Sequence, residues 1–568
     1  MSLRARTHAL GQVLGTAPLW LPLALAVLLG SVPVLRLGWE ALNGVGLSAD
    51  APLVALARAS TTWRALGNSL YVSLLGTMLA MALGALFAVA LTITDLSRKG
   101  LWAFAFMLPM MIPPQVTALA WLQLSGPASP LLVTLGIAPA LGSAQPLYGA
   151  HGIALLLGVQ HAPLVFLALR ANLVTLPGEL VEAARLAGAA PHRVLIDLVL
   201  PLAAPGLIAG GAIAFVSALG NFGIPAMLGI PVGYYVLPTL IYQKLSALGS
   251  MVLPEVAQLS MLVAVVALAS LALQRRLHRR FAHFSCAGGG ARLPLGRWRW
   301  PLSLLLAAVI ASVLVVPGLA LVMASLLPAQ GMAFDTDTVT LSAYAEMLGR
   351  QGVTWRAMSN SLLLASIAAA ILMALSLPLA WLLVRRPSRP LALFEAAIEI
   401  PYALPGVVLA VGCILAFARP LPLLGFGLYG SLWIILIAYL ARFMVVALKP
   451  VRASLAASDP ALEEAAQLAG AGPLRRLVEL WLPLLAPAAF AGALLVFLTA
   501  VNELTVSALL WGPGSETLGV LIFNLDQSGD NALACALSVI VMALVAGLML
   551  VLGGLGRRLP QGVIPWRD

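Results

Sequence analysis

Apolar residues run along this chain in long stretches separated by short polar segments. A helix that crosses the hydrocarbon of a bilayer needs about 20 mostly apolar residues. Six stretches in the first half meet that length, near 18–36, 68–93, 101–122, 149–169, 206–228 and 252–274. Six more follow near 301–326, 361–384, 392–417, 427–448, 488–511 and 532–555. The pattern predicts an all-α polytopic membrane protein with about 12 transmembrane helices. Stretches rich in Pro and Gly, such as Leu108–Pro114, are expected to be broken helices.

Composition agrees with the pattern. Of 568 residues, 61% are hydrophobic and only 9% charged, against about a quarter charged in soluble domains. The net charge of +11 points to the positive-inside rule rather than to nucleic acid, because no segment is both soluble and long enough to form a basic, base-stacking face. With the N-terminus in the cytoplasm, only Arg36, Arg58, Arg64, Lys244, Arg350, Arg356 and Arg419 of the 32 basic residues fall outside. Both termini are therefore expected in the cytoplasm. The stretch Arg4–Val34 has a basic start but an apolar core longer than a signal peptide's, and reads as a retained first span. Cys286, Cys413 and Cys535 lie far apart with no Cys-x-x-Cys pair, so neither a metal framework nor a disulfide set is expected. The six His are scattered, and no catalytic cluster is assigned.

The chain repeats itself. Thr62-Trp63-Arg64-Ala65 with Asn68-Ser69-Leu70 returns as Thr354-Trp355-Arg356-Ala357 with Asn360-Ser361-Leu362, an offset of 292, and Pro109 and Pro113 answer to Pro401 and Pro405. Glu182-Ala183-Ala184 followed by Gly188 returns as Glu464-Ala465-Ala466 followed by Gly470, an offset of 282 that runs without a gap to Pro201 and Pro483. The expected organisation is a first repeat at 1–274, a basic cytoplasmic linker at 275–300 and a second repeat at 301–568. Six spans each give the repeats the same orientation, related by an axis along the membrane normal. The linker, with seven arginines between 275 and 299 and no acid, reads as solvated, with anionic lipid headgroups as a second reading.

Both Glu-Ala-Ala segments lie in expected cytoplasmic loops, 177–204 and 459–486. Pro177–Ala189 reads as a short helix with Pro177 in its first turn, ended by Gly188 where the chain reverses. Glu-Ala-Ala, three residues, Gly, nine residues, then Leu198-Val199-Leu200-Pro201 or Leu480-Trp481-Leu482-Pro483 resembles the EAA loop of bacterial ABC importer permeases, departing only by Leu for Ile at the first position of the last group. The resemblance implies that each loop is a helical knob docking on a cytoplasmic ATPase, so two loops imply two ATPase copies and a periplasmic substrate-binding protein. Glu182, Ala183, Ala184 and Gly188, with Glu464, Ala465, Ala466 and Gly470, become the candidate coupling residues. No Gly-x-x-x-x-Gly-Lys-Ser/Thr loop is present, so ATP and Mg are expected on the partner, the chain is not expected to be an enzyme, and no cofactor is assigned to it.

Polar groups inside spans tend to face a cavity or the bundle interior. Asn221 aligns with Glu503 at the offset of 282, and Asn502 is beside it. These three are candidate path-lining residues; the alternative is that they cap broken helices. The segments around them, with Thr239-Leu240-Ile241-Tyr242 and Thr517-Leu518-Gly519-Val520-Leu521-Ile522-Phe523 downstream, look like the fused permeases of ferric-iron importers. That likeness implies a bacterial inner-membrane location and Fe(III) as cargo, with thiamine, 2-aminoethylphosphonate, polyamine or sulfate as alternatives. One carboxylate makes no resident metal site. A secondary transporter also shows twelve spans and parallel repeats, but does not need paired EAA loops.

Overall fold

The computed structural model describes residues 3–43, 56, 58–140, 142–247, 252–281, 290, 293–385, 387–420, 425 and 427–555. Cys286, the linker's Arg292, and the C-terminal Arg557, Arg558 and Arg567 lie outside them. Helix is the only regular secondary structure among the described residues, with two isolated bridges in place of any strand. Eleven helices are long and apolar enough to cross a membrane, and up to thirteen spans result if each of two bent pairs is counted as one.

The breaks come where prolines dictate them. A proline disfavours the α conformation in the residue before it and supplies no N–H. The third expected span is accordingly two helices, Lys99–Met111 and Pro114–Ser125, with Ile112 extended before Pro113. The ninth is Arg389–Ala403 followed by Gly406–Phe417, bent by 110° with Leu404 extended before Pro405. Pro113 and Pro405 occupy equivalent positions in the two repeats, so the same residue breaks the same span twice.

The helices gather into two compact units that do not coincide with the sequence repeats. One unit combines helix Leu3–Asn43 with the second-repeat helices from Gly352–Arg385 through Ser507–Leu510; there Leu3–Asn43 packs on Arg389–Ala403, Gly406–Phe417 and Leu432–Ala456. The close fit at Gly412 shows why: a Cβ there would stand 2.7 Å from the Pro33 carbonyl oxygen. The other unit combines the first-repeat helices from Ser60–Thr92 onward with Val316–Ser325 and Leu518–Gln527, both of which lie on Pro114–Ser125. Its tightest pair is Ser60–Thr92 on Ala150–Leu173, where Gly84 faces the Ala162 carbonyl and a Cβ would lie 2.8 Å from it. Small residues let membrane helices approach this closely.

The repeated Asn-Ser pair is a clasp. Asn68 Nδ2 donates to the Tyr235 carbonyl at 2.8 Å and Ser69 Oγ accepts from Leu237 N–H at 2.7 Å. In the second repeat Asn360 Nδ2 donates to the Gly514 and Glu516 carbonyls at 3.1 and 2.9 Å. Each clasp holds a loop that has no helix to satisfy its carbonyls. The described end of the linker is likewise held rather than freely solvated. Leu295 N–H donates to Asp95 Oδ1 at 2.9 Å, Arg299 pairs with Asp95 Oδ2 at 2.6 Å, and Gly290 bridges to Pro177. These contacts, the Leu295 N–H foremost and the Arg299 guanidinium after it, hold the Asp95 carboxyl below its usual range.

Candidate functional site

The two EAA loops are built alike, residue for residue. In the first, helix Gly178–Leu186 begins one residue after Pro177, which stands at its N-cap rather than inside the first turn. In the second, helix Pro460–Leu468 starts on Pro460, and Asp459 caps it by accepting from Ala461 N–H at 2.9 Å. Gly188 and Gly470 have φ of +84° and +79°. This left-handed conformation is one that a glycine adopts freely and that lets the chain turn back sharply. The returning helices then carry a wider-wound π segment at equivalent places, Val194–Val199 and Arg476–Trp481, before entering Leu200–Leu219 and Leu482–Val501.

Side chains expected to couple are at the surface. Glu182, Ala183, Glu464 and Ala465 are exposed, while Ala184 and Ala466 are half-buried. The sequence reading passed over the most conspicuous positions, Leu186 and Leu468, each 90% exposed at the tip of its helix. They are equivalent at the offset of 282, and a large apolar side chain set out at the same tip of both loops is what a partner-binding knob presents. The signal for them lay in the repeat itself, since Leu is kept while its neighbour changes from Arg185 to Gln467.

A second omission lies beneath the second loop. Glu463, the residue before the expected anchor, is only 7% exposed. Its carboxylate accepts from Trp381 Nε1 at 3.3 Å and from Trp481 Nε1, and pairs with Arg476 Nη1 at 3.1 Å. Arg385 donates to Ser458 Oγ at 2.8 Å and lies 5.0 Å from the centre of the Trp481 ring, a cation–π contact. A recess of about 300 Å³ opens beside this cluster, between Arg385, Pro460, Glu464 and Gln467.

The candidate path residues take up capping positions. Asn221 Oδ1 accepts from Ile224 N–H at 3.1 Å, and Glu503 Oε1 accepts from Val506 N–H at 3.0 Å. The two bonds are equivalent at the offset of 282; each ties down the turn after a broken helix. Glu503 additionally stands 3.5 Å from Arg442 Nε, and Asn502 Nδ2 donates to the Leu498 carbonyl at 2.9 Å. The structure thus brings Glu503 to Arg442, which falls in the expected span near 427–448 and is carried within the helix Leu432–Ala456. Gln160 occupies the equivalent position in the first repeat, so this unit carries an ion pair where the other has neutral side chains.

The family model described as binding-protein-dependent transport system inner membrane component matches residues 74–283 and again 366–564. The chain belongs to this family. The permease is similar, at 28% identity over 94% of each chain, to the probable ABC transporter permease protein y4fN of Sinorhizobium fredii. It is also similar to the ferric transport system permease protein FbpB of Actinobacillus pleuropneumoniae, at 25% identity over 86% of this chain and 70% of the relative. Part of it resembles the putative 2-aminoethylphosphonate transport system permease protein PhnV of Salmonella typhimurium, at 32% identity over 28% of this chain and 60% of the relative. The permease is therefore a multi-span inner-membrane transport subunit of the ABC class, with two family domains fused in one chain, and not an enzyme. Membership of the family implies an ATPase and a binding protein as partners.

Proposed function

We propose that the permease forms the translocation path for Fe(III) handed over by a periplasmic binding protein, with two copies of a cytoplasmic ATPase docked on its two EAA loops. The observation that carries the coupling is the pair of equivalent helical knobs, each with an exposed Glu, an exposed apolar tip at Leu186 or Leu468, and a left-handed glycine behind it. Two matching knobs call for two matching sockets. In this reading both termini lie in the cytoplasm, on the side of the loops, and ATP and Mg are bound by the partner.

Support for iron comes from the ferric transport relatives, which span most of the chain. Asn221, Asn502 and Glu503 offer oxygen atoms suited to a hard cation, and their capping bonds leave them able to steady the backbone of the path without retaining cargo. The second reading, 2-aminoethylphosphonate, is favoured by the higher identity of a shorter match. The test is ATP-dependent uptake into proteoliposomes holding the permease, its ATPase and its binding protein, with labelled Fe(III) and labelled phosphonate in separate arms. ATP-driven movement of iron alone supports the first reading, and of the phosphonate alone the second. Leu186→Arg with Leu468→Arg should lower ATPase association about tenfold or more, as loss of apolar anchors does. Undiminished association would remove the loops from the coupling role.

A further inference from the structure

The two EAA loops match on their outer faces but rest on different bases. At the offset of 282, Glu463, Arg476 and Trp481 stand where the first repeat has Val181, Val194 and Val199, and at the offset of 292, Trp381 and Arg385 stand where it has Val89 and Ile93. Val181, Val194, Val199 and Ile93 are all buried, so the first loop sits on a wholly aliphatic base. In the second, the buried Glu463 carboxylate accepts hydrogen bonds from two indoles, Trp381 of the long helix Gly352–Arg385 and Trp481 of the return segment, and is ion-paired with Arg476 of that segment.

These bases differ in mechanical character. Apolar burial is non-directional, and one aliphatic surface can shift over another by part of a side chain without losing its area. A buried ion pair with two further hydrogen bonds to the same carboxylate has directed contacts, and breaking any of them leaves a desolvated polar group without its partner. The helix Pro460–Leu468 is consequently held to Gly352–Arg385 by directed side-chain contacts, whereas the base of Gly178–Leu186 offers only aliphatic area and the directed tie at its start, the Pro177–Gly290 bridge, runs to the linker and not to a membrane-spanning helix.

We propose that Glu463 is a positioning residue that fixes the second EAA loop to the helix Gly352–Arg385, making this loop the orientation-locked one of the two coupling points. This rests on the reading of the loops as ATPase sites. Motion imparted to the second knob passes directly into a membrane-spanning helix, and the carboxylate does so through Trp381 without touching the ATPase, because it is turned inward while Glu464 and Leu468 face outward.

The test uses the full chain with its ATPase and binding protein in proteoliposomes, and reads ATPase association, binding-protein-stimulated ATP hydrolysis, and substrate moved per ATP. Glu463→Gln keeps the shape and an acceptor for the indoles but removes the charge. The triple variant Glu463→Val/Arg476→Val/Trp481→Val gives the second loop the base of the first. Both should retain association within about twofold and continue to hydrolyse ATP, while substrate moved per ATP falls about tenfold. Arg476→Lys, which keeps the charge, should stay nearer wild type than Arg476→Met, a difference that packing alone does not produce. Val181→Ala, in the aliphatic base, should change the ratio by less than about twofold. Should the triple variant fail to fold, Glu463→Gln decides. An unchanged ratio with association intact overturns the proposal, and so does loss of association in Glu463→Gln, which would mean that Glu463 contacts the ATPase or merely shapes the knob. Failure of the underlying reading shows separately, as association that survives the double leucine-to-arginine substitution.

Discussion

Glu503, found by symmetry with Asn221, shares a capping role with it. A carboxylate deep in an apolar stretch draws attention as a transport site, but its first bond is to the Val506 N–H, the same bond that Asn221 makes to Ile224. What the sequence does not reveal is the neighbour 61 positions away, Arg442, whose guanidinium fills the space left by Gly406, where a Cβ would collide with it. Glu503→Gln keeps the cap and loses the ion pair, so it should destabilise the detergent-solubilised permease by about 1–2 kcal/mol, less than removal of one partner of a fully buried pair, because this pair is half-buried. Asn221→Asp keeps the cap but buries a carboxylate where the counterpart of Arg442 is the neutral Gln160, and should cost about 1–3 kcal/mol. Thermal or denaturant unfolding measures both. Gly406→Ala should resemble Glu503→Gln by displacing Arg442.

At the scale of elements, the sequence made the proline breaks legible, because Pro113 and Pro405 act on their own neighbours and need no tertiary information. The EAA helices were legible for the same reason, although the first runs over Gly178–Leu186 rather than the expected Pro177–Ala189. The π segments Val194–Val199 and Arg476–Trp481 were not, since a change of helical winding arises from packing and leaves no mark in composition. The glycines that end the EAA helices have nothing within 4 Å of a would-be Cβ, so a substitution there acts through conformation alone. Gly188→Ala or Gly470→Ala should cost about 1–2 kcal/mol locally, reorient the knob and weaken ATPase association, which co-purification measures. The linker's anchor gives a pH prediction. Asp95 has a depressed carboxyl, so its contribution is fully present above the ordinary value of about 4 and is lost as the pH falls through the lower folded value. Amide exchange at Leu295 should accelerate in that acid window, and Asp95→Ala should show the fast exchange at neutral pH.

For the whole molecule, hydropathy told which stretches cross the membrane but not on what they pack, because lipid and a neighbouring helix are equally apolar. The family domain occurs twice, over 74–283 and 366–564, yet each compact unit draws helices from both halves of the chain. Residues 301–568 expressed alone should therefore be poorly folded, with Gly412 and its helix lacking Leu3–Asn43. Co-expression with a fragment ending shortly after Asn43 should raise the yield of folded protein, as measured by size-exclusion profile and protease resistance. If the half-chain is equally monodisperse and resistant without the fragment, the first helix is dispensable for that unit.

The placement of Leu3–Asn43 also sets a timetable. This helix leaves the ribosome well ahead of its partners, which begin at Arg389, so at a synthesis rate of 5–20 residues per second it waits roughly 20 to 70 s in the bilayer before any of them exists. The two charged residues near its C-terminal end, Arg36 and Glu40, are one helical turn apart and 3.4 Å from each other. That pair forms within the helix itself, which lets the segment shelter its own charges from lipid during the wait and then offer Arg36 to the Leu415 carbonyl once the later helix arrives.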